Sequence, residues 1–218
     1  MQRRLAPLHR AATTVSPEEM AELLGQFREL VTREVFAHGG MIDKFIGDGI
    51  MAAFGQPRAS PSDAARALGC AIHLGAALAR WKDVRQRAGK IAPDAGIGLH
   101  AGMAIGGILQ RGSHDEFTLF GDTVNIAERL ERLCKTLDAS IVVSEDAMAA
   151  AGVATSLPWQ WIDGVKLEGR AGRLRVGYLP RRQLLEAAQT GGRRKVRRPR
   201  CRAVRAMRLN LQSLEGAG

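Results

Sequence analysis

Met20, Leu23, Leu24, Phe27, Leu30, Val31 and Val35 recur at three- and four-residue spacing, which predicts an amphipathic helix. Its start is written in Ser16-Pro17-Glu18-Glu19: Ser16 as N-cap, Pro17 at the first helical position, Glu19 completing a capping box. After His38-Gly39-Gly40 the pattern changes to two strand-compatible runs, Met41 to Ile46 and Ile50 to Phe54, joined by Gly47-Asp48-Gly49. They read as a β-hairpin with one carboxylate at its tip. A second capped helix is predicted from Ser60-Pro61-Ser62-Asp63 to about Ala88, burying mostly alanine and leucine. Ile97 to Gly102, Met103 to Leu109 and Glu116 to Phe120 read as strands, with breaks at Gly106-Gly107 and at Gln110 to Asp115. Asp122 is expected to cap a helix from Thr123 to about Leu137, with Val124, Ala127, Leu130, Cys134 and Leu137 on one face and Asn125, Arg129 and Arg132 on another. A strand from Ser140 to Val143, a short helix from Glu145 to Ala151, and strands around Val153 to Ile162, Val165 to Leu167 and Leu174 to Leu179 follow. Helices alternating with pairs of adjacent strands argue an α+β sandwich.

A length of 218 residues and 45% hydrophobic content suit one domain with extensions, divided here into a leading segment 1–14, a body 15–180 and a tail 181–218. The net charge of +10 is concentrated in that tail, where eleven Lys and Arg face two acids, so the body is almost neutral. Such a tail is expected to be solvated or partly helical, and suited at most to weak contact with nucleic acid or an anionic membrane surface; it has no interleaved aromatics. Cys70, Cys134 and Cys201 are widely spaced without a CxxC, which fits neither a disulfide framework nor a zinc site and points to a reducing, cytoplasmic setting. No secretory leader pattern and no apolar run long enough to span a bilayer is visible.

Two stretches carry candidate chemistry. In MIDKFIGDGIMAAFG, Lys44 precedes Asp48 by four residues. In FTLFGDTVNIAERLE, Asn125 and Arg129 project from one helical face near an N-terminus, where free N–H groups favour an anion. Taken singly, Asp48 is a turn acid and the Asn125/Arg129 pair an ordinary surface pair. Together, SPEEMAELL, HGGMIDKFIGDGIMAAFG, GIGLHAGMAIGGIL and FTLFGDTVNIAERLE, in order and at family spacing, resemble the catalytic domain of class III nucleotide cyclases. The resemblance implies a ferredoxin-like βαββαβ-type sandwich that makes cyclic AMP or cyclic GMP from the triphosphate, using two Mg²⁺ or Mn²⁺ ions and sites shared between two subunits, in a homodimer or a heterodimer with another cyclase domain. By the same resemblance Asp48 is a metal ligand, Lys44 and Thr118 read the base, Asn125 orients the ribose and Arg129 stabilises charge at the α-phosphate. Arg170 is a weaker match for a residue holding the triphosphate tail. A Lys and Thr pair resembles the adenylate-specific subgroup, so ATP is the implied substrate. His100 is expected to be a packed core histidine.

One departure stands out. The family's first metal aspartate lies on an apolar strand that would fall near Arg4, and no aspartate precedes Asp43. A central strand and one bridging carboxylate are therefore expected to be missing, leaving an unpaired sheet edge and impaired catalysis.

Overall fold

The computed structural model describes residues 16–111, 114–153, 155–168, 172–184 and 205–212. Helix α1 (Pro17–Ala37) starts as its sequence dictates, the Ser16 side chain accepting from the Glu19 amide at 3.2 Å, and it buries Leu23, Phe27, Val31 and Val35. The chain then forms the predicted antiparallel hairpin of β1 (Met41–Ile46) and β2 (Gly49–Phe54), with β2 buried along its whole length. Helix α2 (Asp63–Arg87) follows. Ser62 makes no capping bond; the buried Asp63 carboxylate accepts from the Ser60 amide at 2.5 Å and pairs with Arg66, stabilising the helix start.

Strand β3 (Asp94–Ala101) leads into a separate two-stranded ribbon, β4 (Ile105–Arg111) and β5 (His114–Phe120). Its pairing runs unbroken from Ile105–Phe120 to Arg111–His114, so the break expected at Gln110 to Asp115 spans the change from β4 to β5, whereas the one at Gly106-Gly107 lies inside β4. Gly106 belongs there because the Phe117 ring crosses it: a Cβ would come within 2.8 Å. In helix α3 (Asp122–Thr136), Gly121 is the N-cap, not Asp122; its φ of 129° suits glycine alone and moves Asp122 to the first helical position. Strand β6 (Ala139–Ser144), helix α4 (Glu145–Ala151), β7 (Gln160–Lys166) and β8 (Arg173–Pro180) follow. The two segments predicted before and after Gly164 are one strand, β7, carried through a register shift between Ile162 and Val165.

The last strand corrects the expectation for the tail. Residues Arg205–Gln212 form β9, and the main sheet runs β1-β2-β9-β3-β6-β8-β7. The expected gap is thus filled: β9 pairs antiparallel with β2 on one side and β3 on the other. Burial of Met207 between the two pieces stabilises a strand in that place.

Two layers of core follow from the sheet's two faces. Helices α1, α2 and α4 pack on one face over Ile50, Ala52, Phe54, Ile97, Leu99 and Met207. Helix α3 packs on the other, with Ile126, Leu130 and Cys134 against Val142 and Val176. It lies so close that a Cβ on Gly98 would sit 2.1 Å from the Ala127 carbonyl oxygen. Cys70 and Cys134 are buried and unbridged. No described helix is long and apolar enough to cross a membrane.

Candidate active site

The site lies on the α3 face, where a small apolar cluster ties three elements together. Met51 and Ala53 of β2 pack with Leu119 of β5, with Met41 and Val124 of α3 alongside. Each contact fixes a neighbour of a candidate residue. Leu119 follows Thr118, Val124 precedes Asn125, and Met51 is the register partner of Lys44.

Lys44 and Thr118, 74 residues apart in sequence, are brought together: the Lys44 ammonium donates to the Thr118 hydroxyl oxygen. Thr118 is buried, and Lys44 is half-buried with its ammonium 3.7 Å from the Asp43 carboxylate. A register shift between Ile42 and Lys44 gives Lys44 this placement, a local irregularity that periodicity alone does not reveal. Asp48 sits half-buried at the hairpin tip, as the sequence predicts. The tip is pinned by a residue the sequence reading missed. Arg28 of α1 donates to the Gly47 carbonyl at 3.0 Å, and its guanidinium lies 5.0 Å from the Phe45 ring centre. The only sequence signal was an arginine on the polar side of α1 facing a glycine turn.

Asn125 is exposed and Arg129 half-buried, one turn apart in the first half of α3. Among the described residues neither is engaged in a hydrogen bond or ion pair, whereas neighbouring Arg132 is held by Glu128 at 2.8 Å. Their helix is anchored at its start by Thr123, whose hydroxyl donates to the Met103 carbonyl at 2.5 Å. Arg170 lies outside the described residues. His100 is the expected core histidine, buried with Nδ1 2.7 Å from the Ser144 hydroxyl.

Of the candidate residues the fold thus joins Lys44 to Thr118, while Asp48 stands at the hairpin tip and Asn125 and Arg129 stand on α3. The profile of the adenylate and guanylate cyclase catalytic domain matches residues 8–177, and the chain belongs to that family. Adenylate cyclase 1 of Rhizobium meliloti (strain 1021) is 31% identical over 134 residues, which are 62% of this chain and 20% of that protein. The chain spans less than a third of the length of the curated relatives it matches, 31% of Anabaena cylindrica adenylate cyclase for example. Among solved structures, a guanylyl cyclase superposes with a TM-score of 0.67 at 26% identity, covering 77% of this chain and 83% of that one. The adenylyl cyclase CyaB from P. aeruginosa superposes with a TM-score of 0.68 at 21% identity, covering 79% and 87%. The fold is thus the cyclase catalytic fold, shared by adenylyl and guanylyl enzymes.

Proposed function

We propose that the chain is an adenylate-type cyclase domain, converting ATP to cyclic AMP and pyrophosphate. The observation that carries this reading is the Lys44–Thr118 contact. It sets a half-buried cationic donor beside a buried hydroxyl, a pair that matches a ring nitrogen and the exocyclic amino group of adenine. Guanine presents a carbonyl and an N–H instead, and its N–H would face a donor at Lys44.

In this reading Asn125 orients the ribose. The 3′-oxygen attacks the α-phosphorus in line, the new P–O bond forming as the bond to pyrophosphate breaks. Arg129 offsets the charge that develops on the α-phosphoryl oxygens, and Arg170 is assigned to the triphosphate tail. Asp48 offers the hard oxygen that Mg²⁺ or Mn²⁺ prefers, and such an ion, when bound, neutralises phosphate charge. A two-ion site is a different matter. Among the described residues no group of three or more His, Cys, Asp or Glu forms a metal cage, and β9, beside the hairpin strand β2, contains no acid. The donors fit one ion completed by triphosphate oxygens, so this chain alone is expected to turn over slowly. The same shortage favours a second reading, a silent cyclase-homology module that binds nucleotide or pairs with a complete cyclase domain.

Purified chain incubated with Mn²⁺ and either ATP or GTP decides between them. The first reading expects slow cyclic AMP formation, exceeding cyclic GMP and abolished by Asp48→Ala or Arg129→Ala. Activity indifferent to both substitutions would remove the site assignment, and ATP binding with no product would leave the second reading. The domain is also proposed to dimerise through its ribbon, where Met103, Ile105 and Ile108 are 89%, 73% and 67% exposed beside Phe117 and Phe120. Sedimentation equilibrium is expected to show a dimer that Ile105→Arg weakens; a monomer at tens of micromolar counts against it.

A further inference from the structure

Strand β9 differs from the rest of its sheet in origin. The other strands succeed one another between Met41 and Pro180, whereas β9 comes from beyond the family match that ends at residue 177, after a further span of residues 185–204. Without it the sheet separates into β1–β2 and β3–β6–β8–β7, which share no strand pairing. With it, six residues lie in register with β2 and eight with β3, both antiparallel. Met207 is fully buried among residues of both pieces, Phe54 and Leu99 included.

The inner edges of β2 and β3 would otherwise be rows of unpaired N–H and C=O groups, a template that any extended segment of suitable pattern can satisfy. The sequence RAMRLNLQ has that pattern: Met207, Leu209 and Leu211 alternate with Arg208, Asn210 and Gln212. Recognition of this kind takes its affinity from main-chain bonds and its register from alternate apolar positions.

We propose that the slot between β2 and β3 is a strand-acceptor site, and that residues 205–212 are a peptide ligand for it which the chain itself carries. Pairing and the burial of Met207 hold the strand, and its covalent continuity with β8 is dispensable, so it is exchangeable. Seating it fixes the hairpin that carries Lys44 and Asp48 relative to the piece on which α3, with Asn125 and Arg129, is packed. That last consequence rests on the nucleotide reading; the strand-acceptor site does not.

The test uses the full chain with a protease site inserted between residues 185 and 204. Before cutting, amides of residues 206–211 are expected to exchange as slowly as those of β3. After cutting, the C-terminal fragment stays with the body through gel filtration. In urea just below the unfolding midpoint, excess labelled peptide of sequence 205–212 replaces it, and the peptide carrying Leu209→Pro does not. Amides at 206–211 exchanging within about tenfold of free-peptide rates, while β2 and β3 stay protected, would overturn the proposal. A fragment that leaves on cutting with β2 and β3 still protected, or one that never exchanges, also overturns it. A seated, exchangeable fragment in a protein that binds no ATP supports the strand site and removes only the nucleotide reading.

Discussion

Lys44 and Thr118 meet because a register shift in β1 and the packing of Leu119 on Met51 bring two distant strands to one face. The resemblance singles out both residues, as it does Asp48, Asn125 and Arg129, whose roles are proposed above. What was not legible was the contact itself, because a one-residue irregularity leaves no trace in hydropathy. Arg28 was missed for a similar reason: its partner is a backbone carbonyl, and backbone groups have no sequence signature. Gly98 shows the opposite case, a glycine whose reason is visible only in three dimensions. Helix α3 rests on it through the Ala127 carbonyl. Gly98→Ala is expected to destabilise the protein by about 2–3 kcal/mol, by forcing α3 away from β3. Chemical denaturation measures it, and a loss below about 0.5 kcal/mol would mean that the helix does not sit so close.

At the scale of elements, helices were read more surely than strands. The starts of α1 and α4 follow Ser16 and Ser144, each accepting from the amide three residues on. The start of α3 was shifted by the backbone of Gly121, and α2 dispenses with a serine cap because buried Asp63 does that work. Between α1 and α2 the decisive residue is Arg85, 97% removed from solvent by its 3% exposure. Its guanidinium donates to the Ile91 carbonyl at 2.5 Å and to Gln26 at 2.9 Å, and stacks 5.6 Å from the Trp81 ring centre. Glu22 lies 3.7 Å away and is also held by Lys90 at 2.6 Å. Arg85→Met keeps the stem but strips these bonds, and is expected to cost about 2 kcal/mol, because the Ile91 carbonyl loses its side-chain donor while Gln26 keeps Trp81 as a donor at 3.0 Å. Thermal unfolding at matched pH reports it; an unchanged midpoint would show that water replaces the guanidinium without loss.

Across the whole molecule, the α+β class and the order of elements to Pro180 were legible, and the central sheet position of β9 was not. Its eight residues lie in an arginine-rich stretch whose composition reads as solvated, and nothing local links RAMRLNLQ to β2 or β3. Long-range pairing decides such a strand, and periodicity over eight residues identifies a strand without naming its neighbours. The sheet order also sets β9 between the hairpin strand β2 and β3, on which α3 rests.

The central claim, a site selective for adenine through Lys44 and Thr118, is tested most directly by equilibrium affinities for ATP and GTP. They are to be measured on the full chain and on Lys44→Ala, in the presence of Mn²⁺. The account predicts tighter binding of ATP than of GTP by the unaltered chain, and about a tenfold loss of that preference in Lys44→Ala, the worth of one charge-assisted hydrogen bond. Equal affinities for the two nucleotides, or a preference for ATP that survives the substitution unchanged, would contradict it.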